Sequence, residues 1–191
     1  MSTPQRRIGP ASEYHVDADD RIVYVSPAFL AFAIEIGAPE LNASSLLGVS
    51  IWDCVAGVST REIYAVAFDL VRQERRALSL PIRCDSPTCR RFMELEIVPG
   101  AGRVLELRAL LLRAEPRPAE ELLDPRRARS DVILEACSFC RDIYVGNSAW
   151  MGVEDAVRHM DLFSSAQLPL LSHSVCPRCL PEFHRRMGFS V

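Results

Sequence analysis

The sequence predicts an α+β fold: a five-stranded antiparallel sheet with helices on one face, followed by a small module built around paired cysteines. Three observations carry this. Segments within 78–84, 93–97 and 105–109 alternate apolar and polar residues, the pattern of antiparallel strands with one dry and one wet face. Two short strand-like segments precede them, the second of them β-branched and aromatic, with helical patterns in between. Two C-x-x-C pairs, Cys137–Cys140 and Cys176–Cys179, lie towards the C-terminal end.

Taken in order, residues 1–12 read as a flexible lead-in: the stretch is polar, and no apolar signal core follows Arg6 and Arg7. Glu13–Asp17 is a short strand, Asp17–Asp20 an acidic turn, and Arg21–Val25 a second strand hairpinned to the first. Ser26-Pro27 starts a helix, with Ser26 as N-cap and Phe29, Leu30, Ala33 and Ile34 on one face; Gly37 and Pro39 end it. Residues 40–58 are irregular with short helical turns. The clearest helix opens on a capping box, Ser59-Thr60-Arg61-Glu62. It buries Ile63, Val66, Ala67, Leu70 and Val71, and ends with Arg72, Glu74, Arg75 and Arg76 in solvent. In the three strands that follow, Pro81 predicts an edge position or a bulge.

Residues 114–130 carry Pro116, Pro118 and Pro125 among alternating charges and read as a linker, with a brief helix at Glu120–Leu123. The module spans 131–191. Trp150, Met151, Val153, Ala156 and Val157 offer it a small core, with a helix near Glu154–Met160. Leu180, Phe183 and Met187 recur at helical spacing after Pro177, which places the second C-x-x-C at a helix N-terminus.

The 191-residue length and 49% hydrophobic content suffice for one core, or one domain plus a small module. A net charge of −3 gives no general attraction to nucleic acid or anionic lipid, and no apolar run is long enough to span a bilayer. The expected location is the cytoplasm. There, seven thiols, an odd number, favour metal binding over a disulfide framework.

Paired thiolates at C-x-x-C spacing each supply two soft ligands from one tight turn. Cys137, Cys140, Cys176 and Cys179 therefore predict a structural, tetrahedral zinc site. A segment of this size ordinarily needs such a staple. His173, three residues before Cys176, is an alternative ligand or a hydrogen-bond partner to a cysteine sulfur. Arg83, Asp85, Arg90 and Arg91 form a basic loop with two readings: a hairpin turn in which Asp85 pairs with a nearby arginine, or a grip on an acidic ligand or partner. Cys84 reads as a small buried hydrophobe. No phosphate loop, nucleophile elbow or H-E-x-x-H occurs, so no enzymatic chemistry is expected.

The order strand, strand, short helices, long helix, three strands resembles a PAS domain, the bacterial sensory fold, over residues 13–113. The matching pieces are Val16-Asp17, Arg21–Val25, Ser26-Pro27-Ala28-Phe29 and Leu47–Asp53; Ser26 stands where that family usually has Asn. Cys137–Cys140, Trp150 and Ser172–Cys179 resemble a four-cysteine extension found on bacterial signalling proteins, of zinc-ribbon or treble-clef type. The resemblance implies a cytoplasmic sensor or adaptor. Its first domain would bind a small molecule or a protein partner, and its zinc module would pass the state on by protein contact or homodimerisation. Haem and flavin are not expected. Residues 60–76 hold no His, which leaves only His15 or Cys54 as an iron ligand, and Cys54 lacks the flavin-photoreceptor context. The alternatives are a zinc-linked thiol–disulfide switch and, ranked last, a nucleic-acid-binding regulator using Arg178, Arg185 and Arg186.

Overall fold

The computed structural model describes residues 12–162 and 167–189; most of the expected lead-in therefore lies outside the described residues, and Ser12 already belongs to a strand. Strands β1 (Ser12–Val16) and β2 (Ile22–Val25) form a hairpin. Its turn is closed by Asp17, whose Oδ1 accepts the N–H groups of Asp19 and Arg21, each at 2.9 Å. Helix α1 (Pro27–Glu35) starts as its sequence demands: Ser26 Oγ accepts the Phe29 N–H at 3.1 Å, and Pro27 occupies the first turn. Short helices α2 (Ala43–Leu46) and α3 (Ile51–Cys54) lead to the long α4 (Val58–Glu74). Strands β3 (Leu78–Arg83), β4 (Cys89–Pro99) and β5 (Leu105–Pro116) complete an antiparallel sheet of order β2-β1-β5-β4-β3. Pro81 thus sits on an edge strand, where its missing N–H breaks no ladder. The inward residues Val16, Leu80, Leu95, Ile97, Leu105 and Leu107 pack against Ile63, Ala67, Phe68 and Val71 of α4.

Four local expectations change. The capping box at Ser59 does not form, because α4 begins at Val58 with Gly57 as its N-cap. Gly57 has φ +83°, and a Cβ there would lie 1.9 Å from the carbonyl oxygen of His173, so a distant strand fixes where the helix starts. Arg72 is buried rather than solvated: its guanidinium bonds the Asp17 carbonyl and pairs with Asp20, both at 2.7 Å. Ile34 and Val66 face solvent, at 67% and 41% exposure.

The chain then builds a second sheet. A 3₁₀ turn at Glu121–Leu123 leads to β6 (Arg129–Cys137), β7 (Ile143–Gly146) and β8 (Ala149–Met151). Helix α5 (Val153–His159), strand β9 (Leu168–Ser174) and helix α6 (Leu180–Met187) follow. The order is β8-β7-β6-β9, with β6 and β9 parallel. Stretch 114–130, expected to resist packing, is held down at both ends. The Arg117 and Glu120 N–H groups bond the carbonyls of Thr88 and Pro87 at 3.0 and 2.9 Å, and Leu122 is buried with Leu134, Ile143, Ala156 and Val157.

The two sheets share apolar contacts. Cys137, Phe139, Cys176, Phe183 and Met187 belong to the same core as the first sheet. Arg186 of α6 bonds the Ser79 carbonyl of β3 at 3.0 Å, and Arg83 bonds the Cys140 carbonyl at 3.2 Å. Among the described residues, no helix is long and apolar enough to cross a membrane.

Candidate metal centre

Parallel pairing explains how cysteines so far apart in sequence meet. Cys137 is in register with Ser174, so β6 and β9 run off the sheet at the same end, each into its own C-x-x-C turn. The first turn is closed by the Arg141 N–H on the Cys137 carbonyl at 3.0 Å, with Arg141 in a left-handed conformation at φ +65°. In the second, the Cys179 and Leu180 N–H groups bond the Cys176 carbonyl at 3.0 and 3.2 Å, and α6 follows. Phe139, inside the first pair, and Phe183, four residues after the second, pack with ring centroids 3.9 Å apart at a tilt of 46°.

The four Sγ atoms lie within 4.8 Å of one another, and Cys140 and Cys176 are 3.6 Å apart. Zn–S bonds of about 2.3 Å in a tetrahedron place sulfurs about 3.8 Å apart, so the donor set fits zinc in type, number and spacing. No disulfide joins them. Cys137 and Cys176 are buried, while Cys140 and Cys179 are half-buried. Hydrogen bonds from the Cys140 and Cys179 thiols, helped by the Cys176 N–H, hold the Cys137 thiol far below its ordinary pKa. Hydrogen bonding to Cys137 pushes the Cys140 thiol up to about 12, and hydrogen bonding to Cys137 and Cys140 raises the Cys179 thiol. Zinc held by four thiolates would require all four thiols to give up their protons, so metal binding here is coupled to proton release.

His173 is not among the converging ligands. It sits on β9, and its Nε2 lies 3.3 Å from Arg141 Nη1. A guanidinium has no lone pair, so Arg141 donates to Nε2, and the neutral ring carries its proton on Nδ1. Burial, then the Arg141 charge, holds the His173 pKa below its ordinary value.

The Arg83–Arg91 loop is a knot of internal ion pairs. Asp85, its side chain fully buried, pairs with Arg83 and with Arg117 at 3.1 Å, and accepts the Arg91 N–H at 3.2 Å. Arg91 pairs with Glu35 at 2.6 Å. Arg90 pairs with Glu154 of α5, which Arg117 also reaches at 3.0 Å. All four residues are thus engaged within the chain, Asp85 with Arg83 and Arg117, Arg91 with Glu35 and Arg90 with Glu154; Arg117 and Glu154 are the members that sequence reasoning missed. The short basic stripe is likewise paired, Arg178 with Asp142 and Arg185 and Arg186 with Glu182. Glu13, His15 and Glu106 also converge, but Arg108 pairs with both carboxylates.

A cavity of about 520 Å³ opens between α1–α4 and the β1–β2 end of the first sheet. Tyr14 and Tyr64 line it, and so do Ser138 of the first cysteine turn and His173. Burial raises both phenols, Tyr64 to about 12. No protein-family model matches the chain, and no curated protein matches it.

Proposed function

We propose that the four cysteines hold one structural zinc ion, and that the chain is a non-enzymatic, cytoplasmic sensor or adaptor of PAS type. The observation that carries this is the convergence of all four Sγ atoms from two turns at the base of α6. The strand–strand–helices–strand–strand–strand order of residues 12–116 supports the sensory half, and the cavity beneath α4 offers it a place for a small molecule. Zinc would tie the ends of β6 and β9 to the start of α6, and α6 lies on β3. A change in the first sheet would then reach the cysteine half through shared packing, and leave through contact with a protein partner or a second copy. Metal analysis with an absorption spectrum tests the reading: one zinc per chain and no haem or flavin bands are expected. A chain purified without metal, or with a coloured cofactor, contradicts it.

The half-burial of Cys140 and Cys179 favours one second reading, a zinc-linked redox switch. Mild peroxide would then oxidise two thiols to a disulfide, with loss of two hydrogens, and release the zinc. Zinc retained through that treatment rules the switch out.

A further inference from the structure

The cavity is walled by both halves of the chain. Tyr14, Phe29 and Tyr64 come from the first sheet and its helices, whereas Ser138 and His173 come from the cysteine half. Its size is that of a site for a compact organic molecule. Asp53 is the charged side chain of the lining among the described residues; it is exposed, and it disfavours anions. Neither tyrosine hydroxyl has a hydrogen-bond partner among the described residues. The buried Nδ1–H of His173 lacks an acceptor as well. The wall therefore offers phenolic O–H groups within an apolar surface, with a further unmatched donor behind it.

The same wall is mechanically continuous with the quartet. Ser138 lies between two of the cysteines, and its Oγ is 2.7 Å from Thr60 Oγ1 of α4. Its N–H bonds the Ser174 carbonyl at 2.9 Å, next to His173. The His173 carbonyl rests against Gly57 at the start of α4. Loosening the cysteine turns releases one side of the cavity, and filling the cavity braces those turns against α4.

We propose that this cavity binds a small, neutral, mainly apolar molecule bearing a hydrogen-bond acceptor, and that its occupancy is linked to metal occupancy of the quartet through the Ser138–His173 wall. This rests on the sensor reading above and supplies that reading with a ligand class and a route of coupling. By linkage, each occupant strengthens binding of the other by the same factor.

The test uses the zinc-loaded full chain and prodan, a neutral fluorescent naphthyl ketone. Expected are one-to-one binding with blue-shifted emission, and weaker binding of the same naphthylamine lacking its carbonyl. Saturating prodan should lower the fraction of zinc taken by a competing chelator, corresponding to an affinity gain of about fivefold or more. Val25→Trp, or Leu41→Trp should the first fail to fold, fills the cavity and should abolish both effects. Thr60→Val should keep binding but bring the coupling factor towards one. Absent binding, binding that survives both cavity-filling variants, or equal binding of the carbonyl-free probe overturns the ligand site or its class. One-to-one binding that leaves zinc transfer unchanged overturns the linkage and leaves the sensor reading standing. A chain that holds no zinc removes the sensor reading's zinc module and the linkage with it.

Discussion

Replacing Phe183 by Ala probes the junction on which the account depends. Phe183 is fully buried, packs on Phe139 with ring centroids 3.9 Å apart, and belongs to the core shared by the first sheet and the cysteine turns. Truncating a buried Phe costs about 3–5 kcal/mol, part lost burial and part cavity. With a urea dependence of about 3 kcal/mol per molar for a chain of this size, the midpoint should fall by at least about 1 M. The two tryptophans report separately: Trp52 packs on Phe68 near the first sheet, and Trp150 packs on Tyr144 in the second. Urea titrations of Phe183→Ala in single-tryptophan backgrounds, with zinc release followed by a chromophoric chelator, should show all three transitions moving down together. A Trp52 transition that keeps its midpoint while zinc is released earlier would refute the shared core.

Other substitutions test narrower points. Gly57→Ala should lose at least about 2 kcal/mol, since positive φ and the His173 carbonyl both oppose a Cβ; thermal melting at no measurable loss would place α4 and β9 further apart. Asp85→Ala leaves the buried Arg117 guanidinium without that carboxylate and should destabilise the fold by about 3–5 kcal/mol in denaturant titrations; a loss below about 1 kcal/mol contradicts the buried knot. His173 also predicts a pH dependence. Its folded pKa lies below the ordinary value of 6.5, so as pH falls through 6.5 the unfolded chain takes up a proton that the folded chain refuses, and stability drops. His173→Gln should flatten that part of the profile between pH 7.5 and 5.5, and an unchanged slope assigns the loss to other groups.

Local features were legible where local chemistry decides them. Ser26 caps α1, Asp17 closes its turn, Pro81 lies on an edge, and the alternating residues of β3–β5 point inward as their period requires. The two C-x-x-C turns announced a cluster because tight turns aim both thiols one way. What escaped was set by partners distant in sequence. Gly57 displaced Ser59 as N-cap because β9 lies against it, a contact absent from any local window. Arg72 looked solvated at a helix end, yet Asp17 and Asp20 across the sheet draw it in. Arg117 and Leu122 sat in a stretch whose prolines and charges suggested a tether, but Asp85 and the second core hold them. The parallel pairing of β6 with β9 left no periodic signature, although it brings the four sulfurs to one end of a sheet.

The most direct test is X-ray absorption at the zinc edge, with metal analysis, on protein purified without added metal. The account predicts one zinc per chain in a shell of four sulfurs at about 2.3 Å. Protein that carries no zinc, or a shell in which nitrogen from His173 replaces a sulfur, would contradict it.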